Sequence, residues 1–176
     1  SSDVCSSDLM QELREMIIKG IQESVLRTQN LTRAFDIQQR KDEGPIKLLE
    51  IDDKTGYIRI KNFGETTYPE LLISLAKLSQ NRFSNLIIDL RDNTGGYLNS
   101  AVQIANEFLP KNKLIVYTEG RKSPRQEYRS DGRGSYQNIP LVVLINEGSA
   151  SAAEIFAGAM QDNDRATIIG RRSFGK

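Results

Sequence analysis

Two serines and one lysine carry the chemistry open to this sequence. Ser149 and Ser151 lie in Asn146-Glu147-Gly148-Ser149-Ala150-Ser151-Ala152-Ala153-Glu154, between the apolar run Leu141-Val142-Val143-Leu144-Ile145 and a segment containing Ala157-Gly158-Ala159. A serine at such a strand-to-helix junction can project its hydroxyl as a nucleophile while unpaired N–H groups of the helix N-terminus face a developing negative charge. The same pattern has a plainer meaning. Ser149 or Ser151 can cap the helix, with Glu154 completing a capping box from Ser151.

A second strand-to-helix turn, Asp89-Leu90-Arg91-Asp92-Asn93-Thr94-Gly95-Gly96, ends on paired glycines. Glycines let the backbone approach a bound group and aim an N–H at it, so this turn can form half of an oxyanion hole. It can equally be a tight turn with no ligand. Neither the G-x-G-x-x-G pattern nor a P-loop is present, so phosphate binding has no motif behind it. The third segment, Ile168-Ile169-Gly170-Arg171-Arg172-Ser173-Phe174-Gly175-Lys176, ends on a lysine. Such a lysine is either a solvated charge or, buried beside a serine, a group that loses its proton more readily and serves as base.

The sequence has no histidine, which removes Ser-His-Asp and Cys-His catalysis and nearly all zinc enzymes. A base working near neutral pH must then be a lysine or carboxylate in a perturbing environment. Cys5 is the only cysteine, so disulfides and cysteine metal sites are absent, and no cofactor is implied.

The elements that position these residues follow from periodicity. Helices are expected near 67–80, 97–109 and 150–162, alternating with apolar strands at 57–60, 86–90, 114–117, 141–145 and 166–169. That alternation predicts an α/β domain whose sheet is covered by helices. Residues 119–138, with four arginines and no periodicity, read as a long loop, functional or simply solvated. Upstream, Met10 to Ile21 is expected to form a short amphipathic helix, and 24–28 with 33–37 reads as two strands around a turn or as a continuing helix. Lys41-Asp42-Glu43-Gly44-Pro45 is a charged Gly-Pro linker and marks a domain boundary.

Length and charge set the outer limits. The 176 residues suit one full domain and a fragment of another. A net charge of +1 supplies no field to draw nucleic acid or anionic membrane. No stretch approaches the roughly 20 apolar residues of a membrane span. Residues 1–9 show neither period and are expected to be a non-native leader.

Taken together, Asp-Leu-Arg-x-Asn-x-Gly-Gly, Ser-Ala-Ser-Ala-x-Glu and Gly-Arg-x-Ser-Phe-Gly-Lys resemble, in order and spacing, the signatures of the carboxy-terminal processing (tail-specific) serine peptidases. The resemblance runs from about Ile51 onward. It implies a crotonase-like α/β core of repeated strand-strand-helix units, in which Ser151 is the nucleophile, Lys176 its base, and the N–H groups of Gly96 and Ala152 hold the oxyanion. It further implies endopeptidase action on protein or peptide substrates with accessible C-termini, in a bacterial periplasm or cell envelope. By the same resemblance, 10–45 is the remnant of a PDZ-like module with its linker, and 46–176 is the catalytic domain, truncated at its C-terminal end.

Two departures stand out. Ala153 occupies a place where a third serine is common, and the chain stops before the Gly-x-x-Gln that usually follows the lysine. Lys176 is therefore expected to be solvated and poorly anchored in this chain. Two other functions remain open: a catalytically inactive peptide-binding or scaffolding module of the same fold, and an acyl-CoA hydratase or isomerase of the wider crotonase fold. The latter enzymes generally use acid–base carboxylates instead of a Ser-Lys pair.

Overall fold

The computed structural model describes residues 45–176 apart from Asp53 and Asn81. The expected leader, the helix at 10–21, the hairpin or helix at 24–37, the PDZ-like remnant and residues 41–44 of the linker lie outside the described residues. In chain order the elements are β1 (Ile46–Asp52), β2 (Thr55–Ile60), α1 (Thr67–Gln80), β3 (Asn85–Asp89) and α2 (Leu98–Phe108), followed by β4 (Leu114–Gly120), β5 (Ser123–Arg129), β6 (Leu141–Ile145), α3 (Ala152–Asp162) and β7 (Thr167–Gly170).

Five strands form one sheet in the order β1-β2-β3-β6-β7. β1 and β2 are an antiparallel pair, and β2, β3, β6 and β7 run parallel to one another. The parallel strands are the apolar ones because helical crossovers cover them: Leu86, Ile87 and Ile88 of β3 and Val143 and Leu144 of β6 are buried. Each such side chain contributes about 1.5–3 kcal/mol by leaving water.

The three helices fall where the periodicity places them. α2 and α3 pack on each other, and small buried residues at Ala101, Ala105, Ala153 and Ala157 leave room for Phe108 and Phe156. Those two rings meet edge-on at 6.0 Å between centroids. Among the described residues no helix is long and apolar enough to cross a membrane.

The expectations need two corrections. Residues 119–138 are not one loop, because Ser123–Arg129 pairs antiparallel with Leu114–Gly120 as a two-stranded ribbon apart from the main sheet. Its side chains are largely exposed, so no apolar alternation announces it. Backbone pairing holds it, together with Arg125 of β5 stacked 3.8 Å over the Tyr117 ring of β4, while along β5 itself Glu127 pairs with Arg125 and Arg129 at 2.9 and 2.8 Å. The second correction is β1, which sequence periodicity did not announce and which pairs with β2 from Ile46↔Ile60 to Asp52↔Thr55.

Candidate active site

Parallel neighbours send their C-terminal ends to the same edge of a sheet, and that edge is where open α/β folds bind ligands. β3, β6 and β7 are consecutive parallel neighbours, in register from Leu86↔Leu141 to Asp89↔Leu144 and from Val142↔Thr167 to Ile145↔Gly170. The segments leaving them are 90–97, 146–151 and 171–176. All three motifs therefore converge on one edge by topology alone.

The first segment is tied down from beneath. Asp89 is fully buried and accepts the Arg91 backbone N–H at 2.9 Å, the Arg91 guanidinium at 2.6 and 2.9 Å and the Tyr57 hydroxyl at 2.5 Å. Such pairing is what a buried carboxylate requires. Burial and then the Asp89 charge push the Tyr57 phenol above its ordinary range.

Asn93, also fully buried, binds three strands of backbone. Its Oδ1 accepts the Gly95 N–H at 2.8 Å, its Nδ2 donates to the Ile60 carbonyl at 2.8 Å, and its carbonyl accepts the Ala150 N–H at 2.9 Å. Asp92 and Asn146 add a clasp: the Asn146 amide accepts the Asp92 N–H at 2.9 Å and donates to the Asp92 carboxylate at 2.8 Å.

The paired glycines are required by space and conformation. Gly95 has φ +104°, and a Cβ there would stand 2.7 Å from the Ala150 carbonyl, 2.7 Å from Ser151 Cβ and 2.9 Å from the Ala152 nitrogen. The Gly95 backbone thus lies directly against the serine turn. Gly96, at φ +145°, is pressed on the Phe63 carbonyl, where a Cβ would overlap the oxygen. Among the described residues, no hydrogen-bond acceptor is found for the N–H groups of Gly96 or Ala152.

The two serines separate clearly. Ser149 is fully buried; its hydroxyl donates to the Leu90 carbonyl at 2.8 Å and accepts the Asn146 N–H at 3.0 Å. Ser151 is half-buried at the N-cap of α3 with φ 56° and ψ −116°, a conformation that costs a non-glycine residue of order 1–3 kcal/mol and persists only where its surroundings impose it.

Glu154 helps impose it. Its carboxylate accepts the N–H groups of Ser151 at 2.9 Å, Gly175 at 2.7 Å and Lys176 at 3.0 Å. Burial alone would raise its pKa, but bonds from the Ser173 side chain and from the backbone of Lys176, Gly175 and Ser151 outweigh it and hold the carboxyl below its ordinary value. The Phe174 N–H reaches the Ser149 carbonyl at 3.0 Å. The backbone of the lysine segment is thus fastened to the serine turn. The Lys176 side chain itself is exposed, and among the described residues no hydrogen bond joins it to Ser151.

Of the residues singled out from sequence, Ser151 and Ala152 adjoin the Gly95-Gly96 turn, and Lys176 is brought near through its backbone. Asn93 and the second role of Glu154 were not anticipated. Asn93 sits in a quoted motif but nothing local assigns it a partner, and Glu154 reads from sequence only as a cap.

Comparison with known proteins gives the class first: the similar chains are proteases. Residues 54–176 match peptidase family S41, and the chain belongs to that family. It is 43% identical over 121 residues to a carboxyl-terminal-processing protease of Synechocystis, covering 69% of this chain and 28% of that protein. It is 38% identical over 152 residues to a carboxy-terminal-processing protease of Bartonella bacilliformis, covering 82% and 35%. A chloroplastic carboxyl-terminal-processing peptidase of Arabidopsis is 35% identical over 133 residues, covering 74% and 27%. The chain therefore spans about a third or less of these relatives. Among solved structures, the photosystem II D1 C-terminal processing protease superposes with a TM-score of 0.69 at 29% identity, covering 78% of this chain and 39% of that one.

Proposed function

We propose that this chain is the nucleophile-bearing part of a serine endopeptidase that cuts protein substrates near their C-termini through a Ser151-Lys176 dyad. Ser151 Oγ attacks the scissile carbonyl and its proton passes to the Lys176 amine. The oxyanion that forms accepts hydrogen bonds from the N–H groups of Gly96 and Ala152. Lys176 then protonates the departing amine, leaving an acyl-Ser151 ester that water hydrolyses. The observation that carries this reading is the strained Ser151 turn packed against Gly95, where among the described residues the N–H groups of Ala152 and Gly96 have no acceptor.

The finer fold assignment belongs to the same reading: a crotonase-like core at 46–176, a PDZ-like remnant at 10–45 and a non-native leader at 1–9. So does an extracytoplasmic setting, a periplasm or cell envelope. Protein or peptide C-termini are the substrates, without a nucleic-acid partner or cofactor.

The competing reading is a catalytically inactive peptide-binding module. Incubating the full-length protein with a folded substrate and sequencing the products by mass spectrometry separates the two. Truncated C-termini that vanish in Ser151→Ala support the peptidase; binding without cleavage supports the module.

A further inference from the structure

The Gly96 N–H, the oxyanion donor proposed above, is one end of a planar peptide group whose other end is the Gly95 carbonyl. In a trans peptide the two point in opposite directions, so whatever holds the carbonyl also aims the N–H. The Phe63 N–H donates to that carbonyl at 2.9 Å, and the Tyr97 N–H donates to the Phe63 carbonyl at 2.7 Å. Phe63 and Gly96 thus face each other as a short parallel bridge. A Cβ at Gly96 would overlap the Phe63 carbonyl oxygen, which shows how closely the two backbones meet.

Phe63 is held in turn from its far side. Its N–H shares one peptide group with the Asn62 carbonyl, and its carbonyl shares another with the Gly64 N–H. Both of those far ends meet a single atom, the Thr67 hydroxyl oxygen, at 3.1 Å from the Asn62 carbonyl oxygen and 2.8 Å from the Gly64 nitrogen. The direction is forced: an N–H only donates and a carbonyl only accepts, so the hydroxyl accepts from Gly64 and donates to Asn62. Thr67 opens α1 and is fully buried, so solvent does not compete for that hydroxyl.

The bonds form one directed chain. It runs from the Thr67 O–H through the Asn62-Phe63 peptide to the Gly95-Gly96 peptide, and ends on the Gly96 N–H, which has no acceptor among the described residues. Each group donates forward and accepts from behind, so the dipoles align and each bond is strengthened by about 10–30%. The last N–H in the chain is both aimed and polarised before a substrate arrives.

We propose that Thr67 is a positioning residue for the reaction, acting through the two Phe63 peptide groups to aim the Gly96 N–H at the oxyanion. This rests on the peptidase reading above. Thr67 touches no reacting atom. Its loss frees both Phe63 peptides to rotate, and the effect falls on the transition state because only there does the oxyanion exist.

The test compares Thr67→Val and Thr67→Ser with wild type in the full-length protein, with rates taken well below each melting temperature and normalised to titrated Ser151. Valine keeps the shape without the hydroxyl, and serine keeps the hydroxyl. Thr67→Val should lower kcat about tenfold with KM little changed, a part of the 10²–10³-fold that a whole oxyanion donor is worth. It should weaken inhibition by a peptide aldehyde, whose hemiacetal with Ser151 mimics the tetrahedral state, by a similar factor. Thr67→Ser should restore both. Where Thr67→Val does not fold, Thr67→Cys, whose thiol is a weak hydrogen-bonding group, should show the same pattern in smaller measure. A lowered melting temperature with wild-type kcat and aldehyde affinity would make Thr67 a structural residue only and overturn the proposal, as would equal losses in Thr67→Val and Thr67→Ser; either result leaves the peptidase reading intact. Absence of any cleavage by wild type together with absence of Ser151 labelling by a fluorophosphonate would sink both readings at once.

Discussion

The Glu154 carboxylate binds the backbone N–H of Ser151 at 2.9 Å and, through the same oxygen, the backbone N–H of Lys176 at 3.0 Å. One side chain thus joins the nucleophile turn to the segment that bears the base. Hydrogen bonds to a charged acceptor are worth about 1.5–3 kcal/mol each. Glu154→Gln keeps the shape but removes the charge and one acceptor. We expect kcat of the full-length enzyme to fall about 10- to 100-fold, a figure that corresponds to losing one such bond. An unchanged kcat would show that the clamp does not position the dyad.

The depressed pKa of Glu154 has a consequence for acid stability. A carboxyl lowered in the folded state is protonated less readily there than in the unfolded chain. Its contribution is therefore present above the unfolded value near ~4.3 and is lost as pH falls toward and through the lower folded value. Melting temperatures measured from pH 6 down to pH 3 should fall less steeply in Glu154→Gln than in wild type. Parallel slopes would remove Glu154 from the acid response.

Ser149 separates structure from chemistry. Its buried hydroxyl joins the Leu90 carbonyl to the Asn146 N–H, so Ser149→Ala strands polar groups and should cost about 1–3 kcal/mol in denaturant unfolding. Fluorophosphonate labelling should persist at Ser151 in the folded fraction. A peptide map showing the label at Ser149 in wild type would reverse the assignment.

Gly95→Ala places a methyl 2.7 Å from both the Ala150 carbonyl and Ser151 Cβ, at φ +104°. Strain at such a position costs of order 1–3 kcal/mol before any displacement of the serine turn. The expected result is a lowered melting temperature and loss of most peptide turnover. Full activity would mean that the two turns do not need their close contact.

Much of the frame was legible before the structure because it is written in local pattern. The amphipathic helices at 67–80 and 97–109, and the apolar run Leu141-Val142-Val143-Leu144-Ile145, each signal one element by their own periodicity. The ribbon strand Ser123–Arg129 was hidden because exposed strands need no apolar face. The site was legible as three motifs, while their mutual support was not. Asn93 meets Ile60 across 33 residues and Ser149 meets Leu90 across 59, and no window of sequence contains such a contact. Local reading likewise left Ser149 and Ser151 equivalent, and burial of one distinguishes them.

The central claim is that Lys176 activates Ser151, and the most direct measurement is the rate at which a fluorophosphonate modifies Ser151 in the full-length protein, wild type against Lys176→Ala. General-base assistance is worth about 10²–10⁴-fold. The account expects labelling of wild type at Ser151 alone, slowed by at least about a hundredfold in Lys176→Ala at equal melting temperature. Equal labelling rates in the two proteins would contradict it.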